Sequence, residues 1–168
     1  MCIRDSQVCD AISKLSQRLD WNVIDKVLQA IHDSDSVAFF GTQFSHSAAL
    51  HFQTDLLMLE KFTMAYMETE RQIDCARLMD ENSVAIIVTV NGFYARSNSK
   101  VLQYLKKSKC KVVLMTNNPG IDIGINVNYT IVLGDSEQRK IGKHTLLTAV
   151  ELMSLRYYSL YYPGIQEK

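Results

Sequence analysis

Val84-Ala85-Ile86-Ile87-Val88-Thr89-Val90 runs straight into Asn91-Gly92-Phe93-Tyr94. A continuous run of apolar and β-branched residues reads as a strand buried on both faces, the kind found in parallel sheets. Asn-Gly favours left-handed backbone geometry, so the chain turns there. Upstream, Val37-Ala38-Phe39-Phe40 is a shorter run of the same type and stops at Gly41. Downstream, Val112-Val113-Leu114-Met115 and Tyr129-Thr130-Ile131-Val132-Leu133 repeat the pattern.

Between these runs the apolar residues recur at helical spacing. Residues 45–60 carry Ala49, Phe52, Leu56 and Leu59 on one face, residues 68–80 carry Ile73, Ala76 and Met79, and residues 97–107 carry Val101, Leu102 and Leu105. Residues 62–66 are expected to be a strand between the first two of these helices. Ahead of the first strand come two helical segments, one marked by Ile12, Leu15 and Leu19, the other capped by Asp20 and carrying Ile24, Val27, Leu28 and Ile31. A long final helix is expected over 142–162, stopped by Pro163-Gly164. About a dozen residues separate the fourth and fifth strands, too few for a full helix. Alternation of this kind predicts an α/β fold, with a five-stranded parallel sheet ordered 2-1-3-4-5 and helices on both faces.

Composition limits the function classes. The chain has 168 residues, 47% hydrophobic and 21% charged, with eighteen basic residues balancing eighteen acidic ones. A domain of this length buries roughly 70% of its unfolded surface, so it needs no disulfide or metal to fold. Zero net charge lacks the footprint of a stand-alone nucleic-acid binder or a membrane-surface protein. No apolar run approaches the length of a membrane span. Cys2, Cys9, Cys75 and Cys110 form no C-x-x-C, and His32, His46, His51 and His144 show no ligand spacing with Cys, Asp or Glu. No metal site and no cofactor are expected, and the thiols read as reduced and cytoplasmic. Met1-Cys2-Ile3-Arg4-Asp5 is encodable by ATG TGT ATA AGA GAC, which matches the adapter end of a common transposon-based sequencing library. Residues 1–6 are therefore expected to be a non-native start, 7–34 an N-terminal helical segment, 35–163 the main domain and 164–168 a tail.

Chemistry concentrates in two loops. Gly41-Thr42-Gln43-Phe44-Ser45-His46-Ser47 joins the first strand to its helix and gathers hydroxyls at a helix N-terminus, where free N–H groups and the dipole favour an anion. Simple helix capping by those hydroxyls is the alternative reading. Thr89, Asn91 and Tyr94 offer side-chain donors at the end of the central strand. In a sheet ordered 2-1-3-4-5, strands one and three flank the switch point, where ligands bind outside the carboxyl ends. Both loops would open into that crevice.

These loops resemble the two motifs of the sugar isomerase (SIS) domain, in the form found in RpiR-type transcriptional regulators. The strand entering Gly41-x-x-x-Ser45 is similar to the first motif, strand then G-x-G-x-S. Thr89-Val90-Asn91-Gly92-Phe93-Tyr94 is similar to the second, S-x-S-G-x-T, and Val112 to Thr116 followed by Asn117-Asn118-Pro119 to the next strand. The resemblance spans residues 7–162. It implies a flavodoxin-like three-layer α/β sandwich that binds a phosphorylated sugar or amino sugar. It also implies self-association as a dimer or tetramer, with DNA contacted only through a separate N-terminal helix-turn-helix. Gly41, Thr42, Gln43, Ser45, Thr89, Asn91, Gly92 and Tyr94 are the ligand-binding candidates. Departures are visible: Gln43 stands at the second glycine of the first motif, Thr89 and Asn91 replace two serines, and Tyr94 replaces a threonine. Arg96 and Lys100 follow the second loop as nearby cations, with a solvated helix face as their other reading, and His46 suits either a ligand or a cap.

No catalytic residue is assigned. The alternative function is a stand-alone aldose–ketose isomerase, which needs a base to move a proton between adjacent carbons. Glu68, Glu70, His144 and Glu151 are its candidates, the last two sharing one face of the final helix. Tyr157, Tyr158, Tyr161 and Tyr162 on that helix read as packing or a subunit interface.

Overall fold

The computed structural model describes residues 3–134 and 142–162. The Pro163-Gly164 stop, the expected tail and the first two residues of the expected non-native start lie outside the described residues. The elements are α1 (Ile3–Arg18), α2 (Trp21–Asp33), β1 (Ser36–Phe40), α3 (Phe44–Met58), β2 (Met64–Ala65), α4 (Thr69–Leu78), β3 (Ser83–Val88), α5 (Phe93–Ser97), α6 (Ser99–Ser108), β4 (Lys111–Thr116), β5 (Tyr129–Val132) and α7 (Gly142–Tyr161).

The five strands form one sheet ordered β2-β1-β3-β4-β5, and each pairing is parallel. Ala38 lies opposite Ala85, and Ile87 opposite Leu114. Successive side chains of a strand point to opposite faces, and the core divides accordingly. Val37, Phe39, Val84, Ile86, Val88, Val113 and Met115 face one way, onto α1, α2, α3 and α7. Ala38, Phe40, Ala85, Ile87, Val112 and Leu114 face the other, onto α4, α5 and α6. The result is a three-layer sandwich. Every residue of β3 is buried, which is why its sequence lacks polar alternation.

Local chemistry fixes the element ends. The Asp20 carboxylate accepts from the backbone N–H of Asn22 and Val23, so α2 starts where the cap residue stands. The short link from β4 to β5 contains no helix. Two details differ from the sequence reading. The strand expected over 62–66 is only two residues long, because the edge position leaves it pairing with β1 alone. The helix expected over 97–107 is α6, and a single turn that the sequence reading did not include, α5, precedes it. The buried Asn98 stands at the break, and its amide donates to the Tyr94 carbonyl. The tyrosines of α7 pack within the chain. Tyr157 is buried with its hydroxyl 3.1 Å from His32 Nδ1, Tyr161 stacks on the His32 ring, and the Tyr162 hydroxyl donates to the Leu59 carbonyl. None of the described helices is long and apolar enough to cross a membrane.

Candidate functional site

At the carboxyl ends of β1 and β3 lies a cleft of about 330 Å³, lined by Thr42, Gln43, Phe44 and Ser45 on one side and Thr89, Val90, Asn91, Phe93 and Tyr94 on the other. The two loops singled out in the sequence therefore converge, as neighbouring strands at the switch point require.

The first loop is built by tight packing and an unusual backbone. A Cβ on Gly41 would sit 3.0 Å from Ser45 Cβ and 3.3 Å from the Val88 carbonyl oxygen, so only glycine lets the turn close against β3. Gln43 is the residue preceding α3, and its backbone takes φ 51°, ψ −123°. That conformation belongs to the first central position of a type II′ turn and suits glycine. The position where the resemblance calls for glycine thus keeps glycine geometry while carrying a glutamine. No side chain caps α3. Ser47 Oγ instead donates to the Gln43 carbonyl at 3.3 Å. The capping alternative is accordingly not what the hydroxyls do; the Ser45 and Ser47 amides donate to the Thr42 and Gln43 carbonyls, which leaves those of Phe44 and His46 for an anion.

The second loop turns on Gly92, with φ 76° and a would-be Cβ only 2.0 Å from Ile121 Cδ1, so a side chain there would be strained in its backbone and would force the tip of Ile121 to move. Thr89 is buried, and its hydroxyl oxygen accepts from the Tyr94 N–H at 3.3 Å. Asn91 is half-buried at the cleft wall. Tyr94 is only 2% exposed, and its hydroxyl points away from the opening to donate to Gln72 Oε1. Burial raises its pKa well above the ordinary tyrosine value, so it stays protonated.

Lys143, in the first turn of α7, completes the wall and places its ammonium 5.1 Å from the Phe44 ring centroid. Sequence reasoning missed it, because it enters from an element almost fifty residues beyond the second loop. The cations named in the sequence do not line the cleft: Arg96 reaches the Asn91 carbonyl at 3.4 Å, and Lys100 is exposed on α6. Phe44 and Phe93, 61% and 62% exposed, stand as aromatic rims on the two loops. His46 is 7% exposed in the first turn of α3, outside the lining. Burial lowers its pKa, opposed by the negative charge of Glu68.

A second group of polar side chains lies between α3 and α7. His51 Nε2 is 3.1 Å from Glu151 Oε2 and 3.9 Å from Asp55 Oδ2, and Ser154 donates to Asp55 at 2.6 Å. One ligand-type atom from each of His51, Asp55 and Glu151 falls within 4.8 Å of the others, so the three could hold a metal ion. Their sequence spacing hid them, because Glu151 lies a hundred residues beyond His51. Glu68 and Glu70 are exposed, and His144 is half-buried. Cys75 and Cys110 are buried and their pKa values are pushed up, Cys75 to about 11, which leaves both as inert thiols at neutral pH.

No family model and no curated protein matches this sequence. Solved structures do. The fold is similar to the sugar isomerase domain of an RpiR transcription factor from Sphaerobacter thermophilus, at TM-score 0.78 and 14% identity, covering 92% of this chain and 87% of that one. It is similar to the Vibrio vulnificus NanR protein complexed with ManNAc-6P, at TM-score 0.77 and 14% identity, over 93% of this chain and 62% of that chain. It is similar also to the phosphoheptose isomerase GmhA from Neisseria gonorrhoeae, at TM-score 0.74 and 14% identity, over 93% and 95% of the two chains. At these identities the likeness establishes the fold, that of SIS-domain proteins, regulators and isomerases alike.

Proposed function

We propose that this chain is a phosphosugar-binding domain. It serves as the effector-binding and self-associating part of a bacterial transcriptional regulator of sugar metabolism, with a phosphorylated sugar or amino sugar as its signal. The observation that carries the reading is the convergence of two polar loops and one lysine on a single cleft at the switch point. Amides at the uncapped start of α3, the Ser45 hydroxyl and the Asn91 amide offer hydrogen bonds to phosphate oxygens. The Lys143 ammonium supplies the compensating charge as a mobile point cation. The exposed faces of Phe44 and Phe93 fit the apolar C–H face of a sugar ring or the methyl of an acyl group. A relative by fold is complexed with ManNAc-6P, which supports the ligand class. Contact with DNA would belong to a separate helix-turn-helix.

A thermal-shift panel of sugar phosphates and amino-sugar phosphates, with inorganic phosphate as control, tests the ligand. A ligand at a hundred times its Kd stabilises by about 2.7 kcal/mol, which in a domain of this size raises Tm by about 5–10 °C. One or a few compounds should do so, and a flat panel at millimolar concentration overturns the proposal.

The isomerase reading has its own observation, the His51–Glu151 pair at 3.1 Å. A carboxylate paired with an imidazole can pass a proton between neighbouring carbons. Interconversion of any panel member, lost in Glu151→Gln, would establish it, and absence of turnover across the panel removes it.

A further inference from the structure

We propose that Gln72, buried beneath the cleft and hydrogen-bonded to both of its loops, is the positioning residue that sets their relative geometry. The inference rests on the cleft being the binding site.

Gln72 belongs to α4 and is 1% exposed. Its amide nitrogen donates to the Gly41 carbonyl at 3.0 Å and to the Tyr66 carbonyl at 2.7 Å. Its amide oxygen accepts from the Tyr94 hydroxyl. Gly41 is the hinge of the first loop, and Tyr94 stands in the opening turn of α5, which follows the second. One buried side chain therefore spans from loop to loop, through Tyr94 on one side and a backbone carbonyl on the other. The Tyr94 N–H is in turn held by Thr89, a residue of the cleft wall.

The chemistry of the amide suits this role. A glutamine is the neutral side chain long enough to present a donor and an acceptor at opposite sides of one plane, and both ends are satisfied. A buried network with every member paired is rigid, whereas breaking one link leaves a partner unsatisfied at the full desolvation cost. The rest of the packing of α4 and α6 on the sheet is apolar, and such contacts do not fix direction. Here directional bonds cross from α4 to both loops. Tyr94 explains itself on the same grounds: a shorter hydroxyl side chain at that position could not reach α4, so the tyrosine turns a ligand-facing position into a strut.

The consequence is that ligand affinity depends on a side chain, Gln72, that is not part of the cleft lining. Tyr94→Phe keeps the ring in its packing site and removes only the hydroxyl. Gln72→Met keeps the volume and removes both ends of the bridge. Two readouts decide the matter. In the ligand-free protein, Tyr94→Phe should shift the backbone amide resonances of residues 41–45, the loop whose Gly41 carbonyl Gln72 holds. For the sugar phosphate that stabilises the wild type, Kd should weaken at least fivefold in either variant. The Tyr94→Phe, Gln72→Met double variant should bind as Gln72→Met alone, because residues acting as one unit are not additive. A purely structural role would lower Tm and leave Kd unchanged. Resonance changes confined to α4 and α5, an unchanged Kd, or additive losses would each overturn the inference. If the wild type binds no sugar phosphate, the proposed function fails, and the amide shifts of residues 41–45 still decide the coupling.

Discussion

Replacing Gln43 by glycine should stabilise this protein. The residue holds φ 51° and ψ −123°, and a non-glycine residue in so sparsely populated a region costs of order 1–3 kcal/mol. Glycine adopts that geometry freely but adds roughly 0.4–1 kcal/mol of unfolded-state entropy to the cost of folding. The Gln43 side chain is exposed. Its bonds to Ser47 run through its backbone carbonyl, which glycine retains. The midpoints of the two ranges leave a gain of about 1.3 kcal/mol, or about 3–5 °C in Tm for a domain of this length. Gln43→Ala is the control, because a Cβ keeps the strain while the rest of the side chain is lost. Calorimetric melting of the three proteins reads the result. A glycine variant that melts with the alanine variant, or below the wild type, would refute the idea that strain is stored at this turn.

Other perturbations have equally definite outcomes. Lys143→Gln should weaken phosphosugar binding about tenfold in a titration while lowering Tm by no more than about 1–4 °C, since the exposed ammonium's contact with Phe44 is worth about 0.5–1 kcal/mol. Gly92→Ala should lower stability by more than 2 kcal/mol in urea unfolding, and Ile121→Ala should recover only the steric part, because the positive φ persists. His46 sets a pH dependence: its folded pKa lies below the unfolded value, so the unfolded chain takes up the proton first as pH falls through about 6.5. Stability should therefore decline below that pH until the folded pKa is reached, and His46→Gln should lose that share of the decline between pH 7.5 and pH 5.5.

The sheet was legible because β3 and β4 are apolar apart from Ser83, Lys111 and Thr116 at their ends, and β1, β3 and β4 run into a glycine or a polar turn. Those signals are local, and the switch-point rule converts them into a place for the site. Asp20 was legible for the same reason, its cap acting over three residues. The extra turn α5 was not, because its end at Asn98 depends on a side chain turning back to the Tyr94 carbonyl. Within the site, loop membership could be read but side-chain direction could not. Tyr94 belongs to the second loop by sequence, and only the presence of Gln72 beneath it draws the hydroxyl inward. Lys143, Gln72 and the His51–Glu151 pair all arrive from distant elements, so no spacing along the chain announces them. Gln43 is the instructive case. Its departure from the motif was visible in sequence, and the left-handed, glycine-like backbone that it adopts was not.

The most direct test of the central claim is to titrate the isotope-labelled protein with the panel of sugar phosphates and map the amide resonances that move. The account predicts saturable shifts at Thr42, Gln43, Phe44, Ser45, Asn91 and Lys143 with one phosphorylated sugar or amino sugar. Saturable shifts centred on His51 and Glu151 with those residues silent, or no shift at millimolar ligand, would contradict it.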